Sequence, residues 1–420
     1  MADPDDLIQY VNVDLDVQEI LLAASQHDIP KLRQLIRSNE SAENPVNARD
    51  PETGFTPLHA AIASCEPDED EGKGERTIPN GQTGHDSSTT DADGGVLEAG
   101  RATVRFLLEE GAIWNDLDAN DETPGCLARR LGLKELYDMM VDAGVRAEIL
   151  LSKLDEYEQL EDDEDDEQNA SAHEDTNPAQ TTEQITEQPA AAQTQGSLTE
   201  EDGTNSRYLQ SELTFHDGRL LDQDQNGVMM AWERDIMVKS AKALLPTPGL
   251  RIINIGHGMG IMDNIIQELE PSSHHIVEAH PAVLAEMKTK GWFEKPNVKI
   301  HEGKWQDVLP KLIDEGVMFD AIYYDTFAES YSDFRRFFSE QVIGLLEPEG
   351  KWSFFNGMGA DRQLSYDVYQ KVAEMDLLEA GFDVDWQEIQ VPSLDDEWEG
   401  VRRKYWVVES YRLPVCRYQD

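Results

Sequence analysis

From residue 251 onward, apolar runs of strand length alternate with amphipathic stretches of helix length. The runs are "RIINIG" at 251–256, "HHIVEAH" at 274–280, "NVKIHEG" at 297–303, "FDAIYYD" at 319–325 and "KWSFFNG" at 351–357. Between them, helices are expected to begin near Met262, Pro281, Gln306, Asp333 and Arg362. Strands separated by helices cannot pair as tight hairpins, so they lie parallel, with helices on both faces of the sheet. Sheets of this kind bind ligands at the carboxyl ends of their strands. Two later runs, "DVDWQEIQV" and "RRKYWVVESYRL", read as two further strands around a loop, in antiparallel arrangement.

The first run breaks into Gly256, Gly258 and Gly260. That G-x-G-x-G spacing is not the G-x-G-x-x-G of a dinucleotide site, where the helix start faces a pyrophosphate. About 20 residues on, the second strand ends in Glu278, an acid placed to accept both hydroxyls of a ribose. The third strand leads into "KWQD", where Trp305 could stack on or close over adenine and Gln306 or Asp307 could meet its amine. The fourth strand ends in Asp325. Together these point to a nucleoside without phosphates, S-adenosylmethionine. "LLEPEGKW", 345–352, resembles the L-x-P-G-G turn before the fifth strand of methyltransferases that use it, with Glu349 at the first glycine. Asn254 is a second departure, standing where such enzymes often carry an acid.

Ahead of the sheet lies "NGVMMAWERDIMVKSAKALL", 226–245, read as a turn at Asn226-Gly227 followed by a helix. Met230, Trp232, Ile236 and Met237 would close over a pocket or fill a core, whereas Glu233 fits a core poorly.

Taken in order, "NGVMMAWERDIM", "GHGMGI", "VEAHP", "KWQDVLP", "YYDTFAESYSDFRRFF" and "FFNGMGADRQLSYDVY" resemble the fungal protein arginine methyltransferases that modify the internal (delta) guanidino nitrogen. More distantly they resemble guanidinoacetate methyltransferase. The resemblance implies a Rossmann-like class I S-adenosylmethionine-dependent methyltransferase domain over 206–420, an α/β fold with a mostly parallel sheet and an antiparallel last strand. It also implies cofactor contacts at Tyr208, Met237, Gly256, His257, Gly258, Met259, Gly260, Ile261, Glu278, Ala279, His280, Trp305, Gln306 and Asp325. Glu233 and Asp325 would be the catalytic acids facing a guanidinium, whose planar fork of N–H donors carboxylates match bidentately. Asp325 would take the proton, and Tyr323, Tyr324, Phe327 and Trp232 would exclude water. Three other readings stay open: a methyltransferase of a small guanidino compound, a non-enzymatic adaptor with a decayed domain, and a nicotinamide oxidoreductase, which the glycine spacing disfavours.

The front of the chain differs. "VQEILLAASQHDIPKLRQLI" reads as two helices joined by a turn, and Thr56-Pro57-Leu58-His59 with Ala61 resembles the ankyrin-repeat signature. A later unit keeps Thr123-Pro124 but has Gly125-Cys126 in place of the Leu-His pair. Residues 1–150 are therefore expected to form an all-α ankyrin-like module, a docking surface or a structural support, with a disordered insertion near 66–98. Residues 151–205, acidic and rich in Gln, Thr and Ala, are expected to be a disordered linker.

Acidic side chains number 85 against 35 basic ones, a net charge of -50 that repels nucleic-acid phosphates and anionic lipid and attracts a basic protein substrate. Cys65, Cys126 and Cys416 are scattered, with neither metal-ligand nor disulfide spacing. The first residues carry no signal-peptide pattern, and no apolar run approaches the roughly 20 residues that span a bilayer. A monomer shared between cytoplasm and nucleus is the expectation.

Overall fold

The computed structural model describes residues 4–38, 44–66, 90–162 and 206–419. The chain divides into two packed units, Met1–Glu148 with Arg362–Tyr369, and Ile149–Asp361 with Gln370–Asp420.

The first unit is helical. Helices Pro4–Ser25 and Ile29–Ser38 meet at a turn in which His27 takes a positive φ of 55°. Helix Pro57–Ala63 has Thr56 as its N-cap and proline at its first position, and His59 Nδ1 accepts the Thr56 backbone N–H at 3.2 Å. Helix Pro124–Arg130 repeats the device, with Thr123 Oγ1 accepting the Cys126 N–H at 3.1 Å. Two expected boundaries shift. Helix Thr90–Glu109 starts inside the expected insertion, because a helix anchored by buried Val104 and Leu107 extends backward at little cost. Helix Lys134–Asp162 likewise runs past residue 150 into the expected linker. The rest of both expected disordered segments lies outside the described residues.

The second unit carries two sheets. A small antiparallel sheet joins β1 (Thr214–His216), β2 (Arg219–Leu221) and β3 (Gly227–Met230). The helix expected to follow the Asn226-Gly227 turn thus starts later. Val228, Met229 and Met230 are extended against Arg219–Leu221, a 3-10 turn holds Ala231–Glu233, and only Arg234–Leu244 is α-helical. Asp217-Gly218, both at positive φ of 48° and 74°, turns β1 into β2, and residues 222–226 turn β2 into β3; neither hairpin was read from the sequence.

The main sheet comprises β4 (Arg251–Ile255), β5 (Ser273–Glu278), β6 (Val298–Glu302), β7 (Phe319–Tyr324), β8 (Leu346–Phe354), β9 (Phe382–Gln390) and β10 (Ser410–Tyr418). Its order is β6-β5-β4-β7-β8-β10-β9, with β4 to β8 parallel and β10 antiparallel to both neighbours. The order reverses between β4 and β7, so a crevice opens at the carboxyl ends of those strands, beside the glycine loop. Helices begin at Ile261, Pro281, Trp305, Tyr331 and Gln363, each within two residues of its expected start. The "LLEPEGKW" turn is absorbed into β8, where the register against β7 slips between Phe319 and Ala321. "RRKYW" is not strand: β10 begins only at Ser410, opposite Gln390, and 391–409 is a loop apart from a 3-10 turn at Asp396–Trp398.

Successive residues of the central strands feed opposite faces. Ile253, Ile255, Ile322, Tyr324, Trp352 and Phe354 pack on Leu309, Leu312, Phe334, Phe337 and Phe338. Ile252, Ala321 and Tyr323 pack on Met237, Ala241, Met262 and Ile266. Burying each large apolar side chain here contributes about 1.5–3 kcal/mol, which makes the sheet a rigid base for the loops above it.

Candidate active site

The glycine loop ties three strand ends together. Gly256 N–H donates to Val277 O at 2.9 Å, and Asp325 N–H donates to Ile255 O at 2.8 Å. Gly256 has φ 93°, and a Cβ there would lie 1.9 Å from the Asp325 carbonyl oxygen. Only glycine lets the end of β4 approach the end of β7 so closely. The Glu278 carboxylate, 7% exposed, braces the same loop: Oε2 accepts the His257 N–H at 2.9 Å, and Oε1 accepts the His280 N–H at 2.7 Å. A carboxylate has about four acceptor sites, so it retains capacity for ligand hydroxyls.

Beneath the loop lies a sealed polar cluster. Asp263, on helix Ile261–Glu268, accepts from Asn254 Nδ2 at 2.8 Å and lies 2.6 Å from His257 Nδ1 and 2.9 Å from His274 Nε2. Burial would raise its pKa, but His257 and His274 outweigh that and hold it below the usual carboxylate range. An acid from the next helix thus sits beside Asn254, the position where the sequence lacks one.

The two expected acids have a different environment. Glu233 is 2% exposed, and its Oε1 accepts both the Met230 N–H at 2.9 Å and the Tyr405 hydroxyl. Both bonds fall on one oxygen, which leaves Oε2 without a partner among the described residues. Burial first, then the charge of Asp325, pushes the Glu233 carboxyl up to about 8, against the pull of Tyr405 and the Met230 amide. Asp325 Oδ2 is shut off from solvent and has no hydrogen-bond partner among the described residues. Burial and then the Asp263 charge raise that carboxyl to about 7. The Tyr323 hydroxyl, also buried and unpartnered, lies in the field of both acids. A buried carboxylate oxygen left bare costs several kcal/mol unless a cation meets it.

A cleft of about 690 Å³ opens beside this pair, walled among others by Tyr208, Asp222, Gly227, Phe327, Glu329 and Tyr405. Glu233, Asp325, the glycine loop and Glu278 are not themselves its walls. Two tyrosines connect it to them: burial and then the charges of Glu278, Asp222 and Asp325 raise the Tyr208 hydroxyl, and those of Glu233 and Asp325 act on Tyr405.

Residues 206–410 match the guanidinoacetate N-methyltransferase family model. A protein arginine N-methyltransferase 2 from Aspergillus oryzae is 67% identical over 98% of this chain and 98% of its own length. The chain belongs to the protein arginine N-methyltransferase 2 family. Its Neurospora crassa member is 45% identical over the full length of both chains. Among solved structures, the O-methyltransferase TomG from Streptomyces achromogenes, in complex with SAM, aligns at TM-score 0.33 and 15% identity, over 46% of this chain and 82% of that one. The enzyme class expected from the sequence, a protein arginine N-methyltransferase, stands.

Within this arginine methyltransferase family member, the cofactor residues expected from the sequence fall into two groups. Tyr208 lies tilted against His280, with ring centroids 5.0 Å apart, and edge-on to Phe327 at 4.9 Å, while the His280 ring holds the Tyr208 carbonyl at 3.1 Å. Gln306 gives Nε2 to Glu329 at 3.4 Å and keeps a buried Oε1 without a partner, an acceptor suited to an exocyclic amine. Met259, Ile261 and Ala279 are half-buried around the loop, between the glycines and His280. These positions fit a nucleoside.

Two others do not lie open to it. Trp305 is 4% exposed, edge-on to Tyr324 and Phe337, with its Nε1 given to Glu329 at 2.9 Å, so it is core and not a stacking platform. Met237 is fully buried under the sheet, as are Met230 and Ile236. Tyr324 also turns away from Asp325, since it sits on the opposite face of β7 from Tyr323.

The sequence reading missed Asp263, Glu329 and Tyr405. Glu329 collects the Trp305 indole, the Gln306 amide and the Tyr324 and Thr326 hydroxyls, the last at 2.6 Å. Its place four residues after Asp325, in a polar stretch, was the available signal.

Proposed function

We propose that the chain methylates the internal (delta) nitrogen of arginine residues in proteins, with S-adenosylmethionine bound against Glu278, Gln306 and the Gly256–Ile261 loop. The observation that carries this reading is the buried Asp325 Oδ2 without a partner, in electrostatic reach of Glu233. Two buried carboxylates in each other's field suit a planar cation: each would grip a terminal nitrogen, which leaves the internal nitrogen as the free one. The cofactor, when bound, supplies a methyl on a positively charged sulfur. A guanidinium has a pKa of about 12.5–13.8, so stripping its proton beforehand at pH 7 would cost about 7.5–9 kcal/mol. The proton therefore leaves as the carbon–nitrogen bond forms and passes to Asp325. Without a bound cation the raised carboxyls hold a proton between them, so arginine entry at neutral pH releases one. Much of the rate then comes from holding the fork in one orientation.

The test is methyl transfer from labelled S-adenosylmethionine to a library of basic arginine-containing peptides, followed by fragmentation mass spectrometry. The added carbon is expected on the internal nitrogen; terminal methylation only would overturn the assignment. The family match over 206–410 favours one second reading, a small guanidino substrate. A higher rate on guanidinoacetate than on every peptide would establish it.

The N-terminal helices are, in the same proposal, an ankyrin-like docking module, supported by the repeated Thr-Pro caps at Thr56 and Thr123. The net charge of -50 supports a basic protein client. A monomer working in cytoplasm and nucleus completes the proposal.

A further inference from the structure

The loop 391–409 carries Tyr405, a cleft residue that touches Glu233 yet belongs to none of the motifs read from the sequence. The loop is sewn to the turn before β3: Arg402 N–H donates to Gln225 O at 2.9 Å, Gly227 N–H donates to Arg403 O at 3.4 Å, and Asn226 bridges Arg403. On its other side Val407 N–H donates to Ala360 O at 2.8 Å. Trp406, 1% exposed, anchors it on Phe355 and Tyr411. Between these stitches Tyr405 projects inward. Its ring lies parallel to Trp232 at 6.3 Å, takes Trp398 edge-on at 5.0 Å, and ends in a hydroxyl that donates to Glu233 Oε1. Gly227 leaves room for the ring, since a Cβ at that position would lie 3.0 Å from two of its carbons.

We propose that Tyr405 is a positioning residue for methyl transfer: its hydroxyl pins Glu233 Oε1 so that Oε2 alone meets the guanidinium, and Gly227 admits the ring that does so. This rests on reading Glu233 as a guanidinium-binding acid. The geometry has a chemical consequence. A carboxylate with both oxygens free could rotate and offer either one, whereas a carboxylate held on one side by an amide and a phenol presents a single acceptor edge. The phenol also stabilises the anion, which is the form a guanidinium needs. The groups facing Glu233 are Tyr405 from the loop, Asp325 and Tyr323 from the end of β7, and the Met230 amide from β3. Among the described residues, the amide and the Tyr405 hydroxyl are the groups that favour its charge.

The test compares the full-length wild type with Tyr405→Phe and Gly227→Ala, using the peptide that the wild type methylates best. Tyr405→Phe is expected to raise the peptide KM about tenfold, the loss of one charge-assisted hydrogen bond, and to leave the KM for S-adenosylmethionine unchanged. Its acid limb in the pH profile of kcat/KM should move upward, because the bond that favoured the carboxylate is gone. Gly227→Ala keeps the hydroxyl but displaces the ring, so it should show smaller changes of the same sign. An unchanged pH limb and peptide KM in Tyr405→Phe would overturn the proposal, whatever happens to its melting temperature. If Tyr405→Phe does not fold, Gly227→Ala decides by the same criteria. If the wild type methylates no peptide, the arginine reading fails first. Titration of Glu233 by carbon NMR, assigned with Glu233→Gln, then still decides whether Tyr405 favours the anion.

Discussion

Asp263 and Asp325 are two buried acids within the same small region at the carboxyl ends of the strands, and the protein treats them in opposite ways. Asp263 is surrounded by Asn254, His257 and His274, so both of its oxygens are satisfied and its pKa is held low. Asp325 keeps an oxygen, Oδ2, that has no hydrogen-bond partner among the described residues, and it is held high by burial. Burial is common to both, so burial alone does not mark a functional acid. Pairing separates them: the fold gives Asp263 its partners, and it leaves Asp325 the bare oxygen on which the proposed guanidinium site rests.

The sharpest way to break this contrast is to neutralise each acid. Asp325→Asn should lower kcat/KM roughly a thousandfold or more, in the range of a lost proton acceptor, with a melting temperature unchanged or raised. Glu233→Gln should cost about a hundredfold, mostly in peptide KM. If both variants kept full activity in the labelled-methyl assay, the acid pair would not be catalytic. Asp263→Asn should instead destabilise the fold by about 3 kcal/mol, the cost of breaking a buried charged network, read from urea unfolding. A fully stable Asp263→Asn protein would erase the distinction.

The two acids should also respond to pH with opposite signs. Asp263, lowered in the fold, contributes stability above the usual carboxylate range, and that contribution is lost as the medium becomes acid. Glu233 and Asp325, raised in the fold, contribute stability that is full in acid and is lost as pH rises through about 7 and about 8. In the proposed mechanism those same steps create the anions that bind arginine. Activity at low peptide concentration should therefore climb between about pH 7 and pH 8, close to tenfold per unit on the acid side. A profile flat from pH 6 to pH 9 would contradict it. The smallest expected effect is at Glu278. Glu278→Gln replaces one acceptor beside the His257 and His280 amides and should weaken S-adenosylmethionine binding about tenfold by calorimetry.

Much of this site was legible in the residues. The helix starts, the Gly256–Gly260 loop and the acids at the ends of β5 and β7 follow from patterns confined to a few consecutive positions. Where the reading failed, the local pattern was ambiguous. "VMMAWE" suits a helix by composition, yet pairing with Arg219–Leu221 makes its first half a strand. "RRKYWVV" suits a strand, yet its backbone is drawn to Gln225–Gly227, and no β9 residue is left opposite it. Trp305 has the right neighbours for a base-stacking residue, but Glu329 and the aromatic core claim the indole first.

The sequence by itself determined the parallel sheet, the glycine loop and the candidate acids, because hydrophobic period and glycine tolerance act over neighbouring residues. Only the tertiary structure decided which acid is paired, which is bare, and that a tyrosine 172 residues away closes on Glu233. Those outcomes depend on which distant surfaces pack together, and a buried charge takes its character from what packing brings within about 3 Å of it.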